Sequence, residues 1–278
     1  MKRMTEPVNP SEPLPSALRR GLGAQMRTLR EKRGVSRQQL GGDTNFSPST
    51  IGAFERGERA MDAETIEKVD DVLGGEGLLK ATVPYLEEER YAPQFRNFAP
   101  IEAKAVSLWV YSTHVLHGLL QTEAYARQVF VDHWPPVAAE EIENRLTARL
   151  DRQALLYRDP PPVLCFVLEE TFLRRKVGGD LIWREQLHHL LECGRLPHVS
   201  IQLIPLECEE ALGSEGSMTV AETSQHRMLG YVEGQGQSWV ISDRAVVSEM
   251  VQRHANIRGM ALSPKDSARR IQRLLGER

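Results

Sequence analysis

The stretch Val35 to Gly57, VSRQQLGGDTNFSPSTIGAFERG, constrains this chain most, because it packs two helix starts and two helix stops into a short span. Ser36 can cap a helix from about Arg37 to Gly42, and Asn45 falls in the turn after it. Ser47 can cap a second helix, with Pro48 at its first position, where the missing N–H costs nothing. That helix runs through Ser49 to Arg56 and stops at Gly57. Ile51 and Phe54, three apart, share a buried face. Ser49, Thr50, Gly52 and Ala53 leave a small outward face that can enter a DNA groove without a clash. The pattern is that of a helix-turn-helix whose second helix reads DNA.

Charge supports the same expectation only when it is read locally. The net charge of −3 does not suggest nucleic acid. From Ser16 to Ala60, however, nine Lys/Arg face four acids, a local excess of +5. From Ala81 onward 22 basic and 26 acidic residues give −4. A basic head on a mildly acidic body fits a DNA-binding domain joined to a domain with other work. The rival reading is a solvated basic helix face. Phosphate contacts are expected from Arg37, with Gln38 beside it, and from Arg56, Arg59 and either Arg27 or Arg30; these set affinity and its salt dependence. Ser49 and Thr50 are expected at base edges, Ala53 against a thymine methyl, and Pro48 in van der Waals contact. For Ser47, capping alone competes with a DNA contact.

Residues 1–15 hold Pro7, Pro10, Pro13 and Pro15, which suggests a disordered tail and no signal-peptide core. A helix over Ser16 to Lys32 places Leu18, Leu22, Met26 and Leu29 on one face. Asp62 opens a fourth helix with Ile66, Val69, Val72 and Leu73 inward, ending at Gly74-Gly75. A short helix from Gly77 to Glu88 comes next. The expected domains are a DNA-binding bundle over 16–80, a linker over 81–100 whose Tyr91, Phe95 and Phe98 pack on the second domain, and an α+β domain over 101–278. In that domain Ala103 to Thr113 suits a strand or a buried helix. Thr122 caps a helix to Val131, and Ala138 to Tyr157 forms a long amphipathic helix. Val163 to Leu168, VLCFVL, is a buried strand. A helix spans Asp180 to Cys193 and a strand Val199 to Leu206. Strands at 218–221, 228–233 and 238–241 meander, with a Gly234-Gln235-Gly236 turn between the last two. Helices over 244–255 and 264–275 finish the chain.

Two resemblances sharpen this reading. Leu29, Arg30, Gly34-Val35-Ser36, Leu40, Phe46-Ser47, Ser49-Thr50-Ile51 and Phe54-Glu55-Arg56-Gly57 resemble the Cro/C1-type (Xre) helix-turn-helix of phage repressors and bacterial regulators. The sequence departs from that pattern at Gly41-Gly42 after the buried leucine, at Asn45 where glycine is usual, and at Ala53 where a polar or basic residue is common. Further on, Gly118-Leu119-Leu120-Gln121-Thr122-Glu123-Ala124-Tyr125-Ala126-Arg127, Leu173 to Gly179, Gln186 to Leu190 and Val199 to Gln202 are similar to a C-terminal domain found behind Xre helices in actinobacterial, Streptomyces-like regulators. There His117 stands where proline is usual. The resemblance implies an antitoxin-like or developmental regulator, often encoded beside a very small protein partner. A protein-interaction module that mainly sequesters that partner is the alternative it carries.

Chemical candidates are sparse. His188, His189, Glu192 and Cys193, with His198 and Cys208 nearby, lack the paired spacing of metal sites, and core or surface histidines are expected instead. Glu169, Glu170 and Arg174 come after an apolar strand and can bind a polar partner or effector, or simply stabilise the fold. No phosphate loop or nucleophile elbow occurs. Cys165, Cys193 and Cys208 are odd in number, against a disulfide framework. No apolar run reaches the ~20 residues of a membrane span. The expectation is a cytoplasmic, nucleoid-associated DNA-binding regulator without cofactor or enzyme activity, homodimeric on double-stranded DNA because one short reader helix buries too little surface alone.

Overall fold

The protein is described by a computed structural model that covers residues 17–89, 95–211, 213–234 and 236–276. The expected tail, Tyr91 of the expected linker and Gln235 of the expected turn lie outside these residues. The chain divides into two compact units, one ending at Glu89 and the other beginning at Arg90.

The first unit is all helical. Helix α1 spans Ala17–Lys32, α2 Arg37–Thr44, α3 Pro48–Arg56, α4 Ala63–Val72 and α5 Val83–Glu89. Local chemistry sets their starts. Ser36, Ser47 and Asp62 each accept a backbone N–H in the first turn of the helix they precede, and Gln39 completes a capping box by accepting from the Ser36 N–H at 2.8 Å. Asn45 and Gly57 end α2 and α3 in the left-handed conformation. The core is Leu22, Met26, Leu40, Ile51, Phe54, Ile66, Val69, Leu73 and Leu79, with Leu29 partly buried against it. Val72, expected inward, is 40% exposed, while its neighbour Leu73 takes the place in the core. Part of the stretch expected as linker is helix: α5 belongs to the first unit.

The second unit is α+β. Its elements are α6 Ala99–Lys104, β1 Ser107–Ser112, α7 Glu123–Val131, α8 Ala139–Arg152, β2 Val163–Glu169, α9 Glu170–Leu173, α10 Asp180–Cys193, β3 Val199–Ile204, β4 Met218–Glu222, β5 Met228–Glu233, β6 Ser238–Ile241, α11 Arg244–Met260 and α12 Pro264–Leu274. One six-stranded sheet has the order β3-β2-β1-β4-β5-β6. β1, β2 and β3 run parallel; β4, β5 and β6 form an antiparallel meander on the other side of β1. Parallel neighbours need long crossovers, and these supply α7, α8 and α10. Both sheet faces are covered. Leu108, Val110, Leu164, Phe166, Leu168, Ile201 and Leu203 face a core shared with α10 and α12. Tyr111, Cys165, Val167 and Val220 face α11. Burial on both sides explains why VLCFVL is continuous instead of alternating. The helix expected to reach Tyr157 changes to 3₁₀ geometry over Gln153–Tyr157. Phe95 and Phe98 pack on the second unit, Phe98 stacking on Tyr231 at 4.2 Å between centroids.

Candidate nucleic-acid interface

The first turn of α3 is the exposed end of the helix-turn-helix. Ser47, Pro48 and Ser49 are exposed and Thr50 and Ala53 are half-buried. Ser47 is the hub: its Oγ accepts the Thr50 N–H at 3.1 Å and lies 2.8 Å from the Ser49 hydroxyl and 2.9 Å from the Thr50 hydroxyl. Each such bond contributes about 1 kcal/mol, so the three hydroxyls are pre-arranged at this exposed end of the helix. Capping and exposure thus coexist at Ser47.

Gly52 is not on the outward face. It is buried, and a Cβ there would sit 3.2 Å from an Arg56 Nη and 3.5 Å from an Arg37 Nη. Two guanidinium groups therefore cover the middle of α3, which places charge where the sequence suggested a bare, small-residue surface.

The arginines divide into structural and free groups. Glu55, with its side chain 1% exposed, accepts from Arg30 Nε at 2.5 Å and from Arg37 Nε at 2.8 Å. Arg30 also donates to the Val35 carbonyl at 2.9 Å. One carboxylate thus ties α1, the turn before α2, α2 and α3. Arg30 is buried within this bridge, its side chain 10% exposed. Arg37 keeps a half-exposed side chain, 41% accessible, so one edge of its guanidinium is available. Arg56 is held by Glu58 through bonds of 2.7 and 2.8 Å, and that hydrogen bond holds the Glu58 carboxyl below the usual range. Both partners are about half exposed; such a pair contributes roughly 0–1 kcal/mol and gives way readily to a phosphate. Arg27 is engaged by Glu31. Arg59 is exposed, 5.8 Å from the Phe54 ring centroid, and Gln38 is exposed on α2.

The departure at Gly41-Gly42 has a geometric explanation at one of its two positions. A Cβ on Gly41 would lie 2.3 Å from the Phe46 carbonyl oxygen, while nothing lies within 4 Å of one on Gly42. The turn between α2 and α3 presses on Gly41 and leaves Gly42 open.

In the second unit, the expected cluster is split. Glu170 is fully buried and accepts from Arg174 at 2.7 Å and from Arg270 at 3.0 Å. It pins α12 to the end of β2, and its carboxylate is used up in doing so. Glu169 turns instead to the Tyr111 hydroxyl, which donates to it at 2.6 Å; burial and this bond push the phenol upward. Only Arg174 keeps substantial exposure. His189 and Cys193 approach to 3.4 Å, and burial drives the thiol up to about 11. Among the described residues no three His, Cys, Asp or Glu side chains converge as a metal site, and no helix is long and apolar enough to cross a membrane.

Residues 95–273, more than half of the chain, match the family described as a domain of unknown function, DUF5753. The chain belongs to the DUF5753 family. Ahead of this DUF5753 region, residues 21–82 match the helix-turn-helix domain family, the module of DNA-binding regulators. No curated protein and no solved structure matches the chain.

Two features of this DUF5753 protein were missed at the level of sequence. Glu55 counted only as one acid among basic residues, although its partners lie 18 and 25 positions away. On α8 the apolar stripe leaves Arg145, Arg149 and Arg152 to other sides of the helix, yet their spacing of i, i+4 and i+7 places all three on one face.

Proposed function

We propose that this DUF5753 protein is a sequence-specific, DNA-binding transcriptional regulator that acts as a dimer in the cytoplasm and is controlled through its second domain by an effector or a small protein partner. The observation that carries this reading is the exposed, hydroxyl-rich first turn of α3 beside Arg37, Arg56 and Arg59, within a stretch that matches the helix-turn-helix family. Three small polar side chains give few bidentate base contacts, so specificity leans on DNA shape and on the spacing of two half-sites. The fully engaged Glu170 favours a binding protein over an enzyme at the end of β2.

Selection from a random duplex pool followed by filter binding tests it. Wild type is expected to enrich a two-fold repeated site and to bind it with a steep salt dependence. Arg56→Ala with Arg59→Ala should weaken all sequences alike and flatten the salt slope, while Ser49→Ala should shift base preference within each half-site. A pool that enriches nothing would remove the DNA-reading role.

A further inference from the structure

A cleft of about 160 Å³ opens in the second unit, room for a molecule of roughly ten non-hydrogen atoms, since one water needs about 10–15 Å³ on this measure. The basic face of α8 forms part of its wall. Three like charges on one face repel unless each has a counterion, so their partners decide what the cleft is for. Arg152 is fully compensated: it donates to both oxygens of buried Glu102, at 2.7 and 2.9 Å. Arg145 gives its Nε to Glu141 at 2.8 Å.

Among the described residues no carboxylate pairs directly with Arg149; Glu233 and Glu102 act on it only through their longer-range charge. The Arg149 Nη1 donates to the neutral amide oxygen of Gln121 at 2.7 Å. Its guanidinium carbon sits 4.2 Å from the Phe130 ring centroid. Its Nε is sealed from solvent with no hydrogen-bond partner. Gln121 cannot turn to relieve this, because its own amide NH₂ donates to the Leu116 carbonyl at 2.7 Å. Burial, then repulsion from Arg152, pull the Arg149 guanidinium down to about 9, so it remains cationic at neutral pH. Keeping a buried cation with no directly paired carboxylate is costly. A fold that carries it has placed a charge where an anion can collect that energy on binding.

Aromatic residues line the cleft too: Phe95, over whose ring Arg152 sits at 3.6 Å, Phe130 and Tyr231. Among the described residues one acid lines it: Glu233, which accepts from the Tyr231 hydroxyl at 2.8 Å and makes no hydrogen bond to Arg149. We propose that this cleft binds a small organic oxyanion, a carboxylate or phosphate monoester on an aromatic body, with its anionic end on Arg149 and its ring against the aromatic wall. The planar fork of arginine suits both anion types. Glu233 is the internal competitor that an entering anion must overcome. The binding does not depend on the DNA-reading role; only its use as an effector signal does.

The test is calorimetric titration of the full chain, without DNA, with phenyl phosphate, benzoate, inorganic phosphate and neutral benzyl alcohol. Saturable binding of phenyl phosphate or benzoate is expected, at least tenfold tighter than inorganic phosphate, with none for benzyl alcohol. Arg149→Gln should lower the affinity at least tenfold, Arg149→Lys should retain part of it, and Glu233→Gln should raise it. Should the Arg149 variants fail to fold, the ligand series on wild type and the Glu233→Gln gain decide alone. Silence of both aromatic anions, equal binding of benzyl alcohol or of inorganic phosphate, or an affinity indifferent to residues 149 and 233 would each overturn the site. Because DNA is absent, such a failure leaves the DNA-reading role standing.

Discussion

The two units bury arginine in opposite ways. In the helical unit, Arg30 and Arg37 converge on one buried carboxylate, Glu55, and the charges are consumed in joining three helices. In the sheet unit, Arg152 is matched by Glu102, but Arg149 three residues before it meets only an amide oxygen and a ring. A matched charge is part of the scaffold, because removing one partner strands the other in a poor solvent for ions. An unmatched charge is held only by weaker contacts, here an amide oxygen and a ring face.

The sharpest way to break this contrast is Glu55→Ala. It leaves buried Arg30 with only the longer contact to half-exposed Glu31, at 3.4 Å, and it should destabilise the helical unit by about 3–5 kcal/mol, read from urea unfolding monitored by circular dichroism. A loss under about 1 kcal/mol would mean that the bridge is not structural.

Acid titration probes the matched pair of the second unit. His117 lies 3.6 Å from Glu102, and burial, opposed by Glu102 and reinforced by the nearby arginines, lowers its pKa to about 4. Its folded value is below its unfolded value near 6.5, so the unfolded chain takes up the proton first. Its contribution is present above about pH 6.5 and is lost as the pH falls towards 4, by up to about 3 kcal/mol. His117→Gln should flatten the stability profile of the second unit in that window. An unchanged profile would assign the acid sensitivity elsewhere.

Arg149→Met tests the other half of the comparison. Replacing an unmatched buried cation with an apolar side chain of similar length should leave stability unchanged or raise it by about 1 kcal/mol. A loss as large as that of Glu55→Ala would make Arg149 a scaffold residue after all.

The smallest expected effect lies in α2. Gly42→Ala should add about 1 kcal/mol or slightly less through helix propensity alone, whereas Gly41→Ala should destabilise, since its Cβ would meet the Phe46 carbonyl at 2.3 Å. Thermal melts that rank the two variants the other way would refute the packing assigned to the α2–α3 turn.

Much of the fold was legible in the sequence because its causes are local. A cap acts across three residues, and Ser36, Ser47, Asp62 and Thr122 all cap where their positions suggested. Helical periodicity placed Leu22, Met26, Ile51 and Phe54 in the core, and an unbroken apolar run marked β2 as a strand buried on both faces. Local pattern also misled. Small residues implied a bare face at Gly52, which Arg37 and Arg56 cover from one turn away and from another helix. At Glu169 and Glu170 the sequence left a polar site or a stabilising role open; the two carboxylates turn to different structural partners.

What the sequence determined by itself is the presence and type of most helices and strands, though not of β1 or of the short helices α6 and α9, together with the α+β character of the second unit and the basic head, all consequences of neighbours a few residues apart. Only the tertiary structure decided the strand order, the parallel pairing of β1 with β2 across 56 positions of register, and which arginine has a counter-charge. Those depend on groups far apart in the chain arriving within 3 Å of each other, and on the low polarity of the place where they meet. Neither can be read from residue spacing.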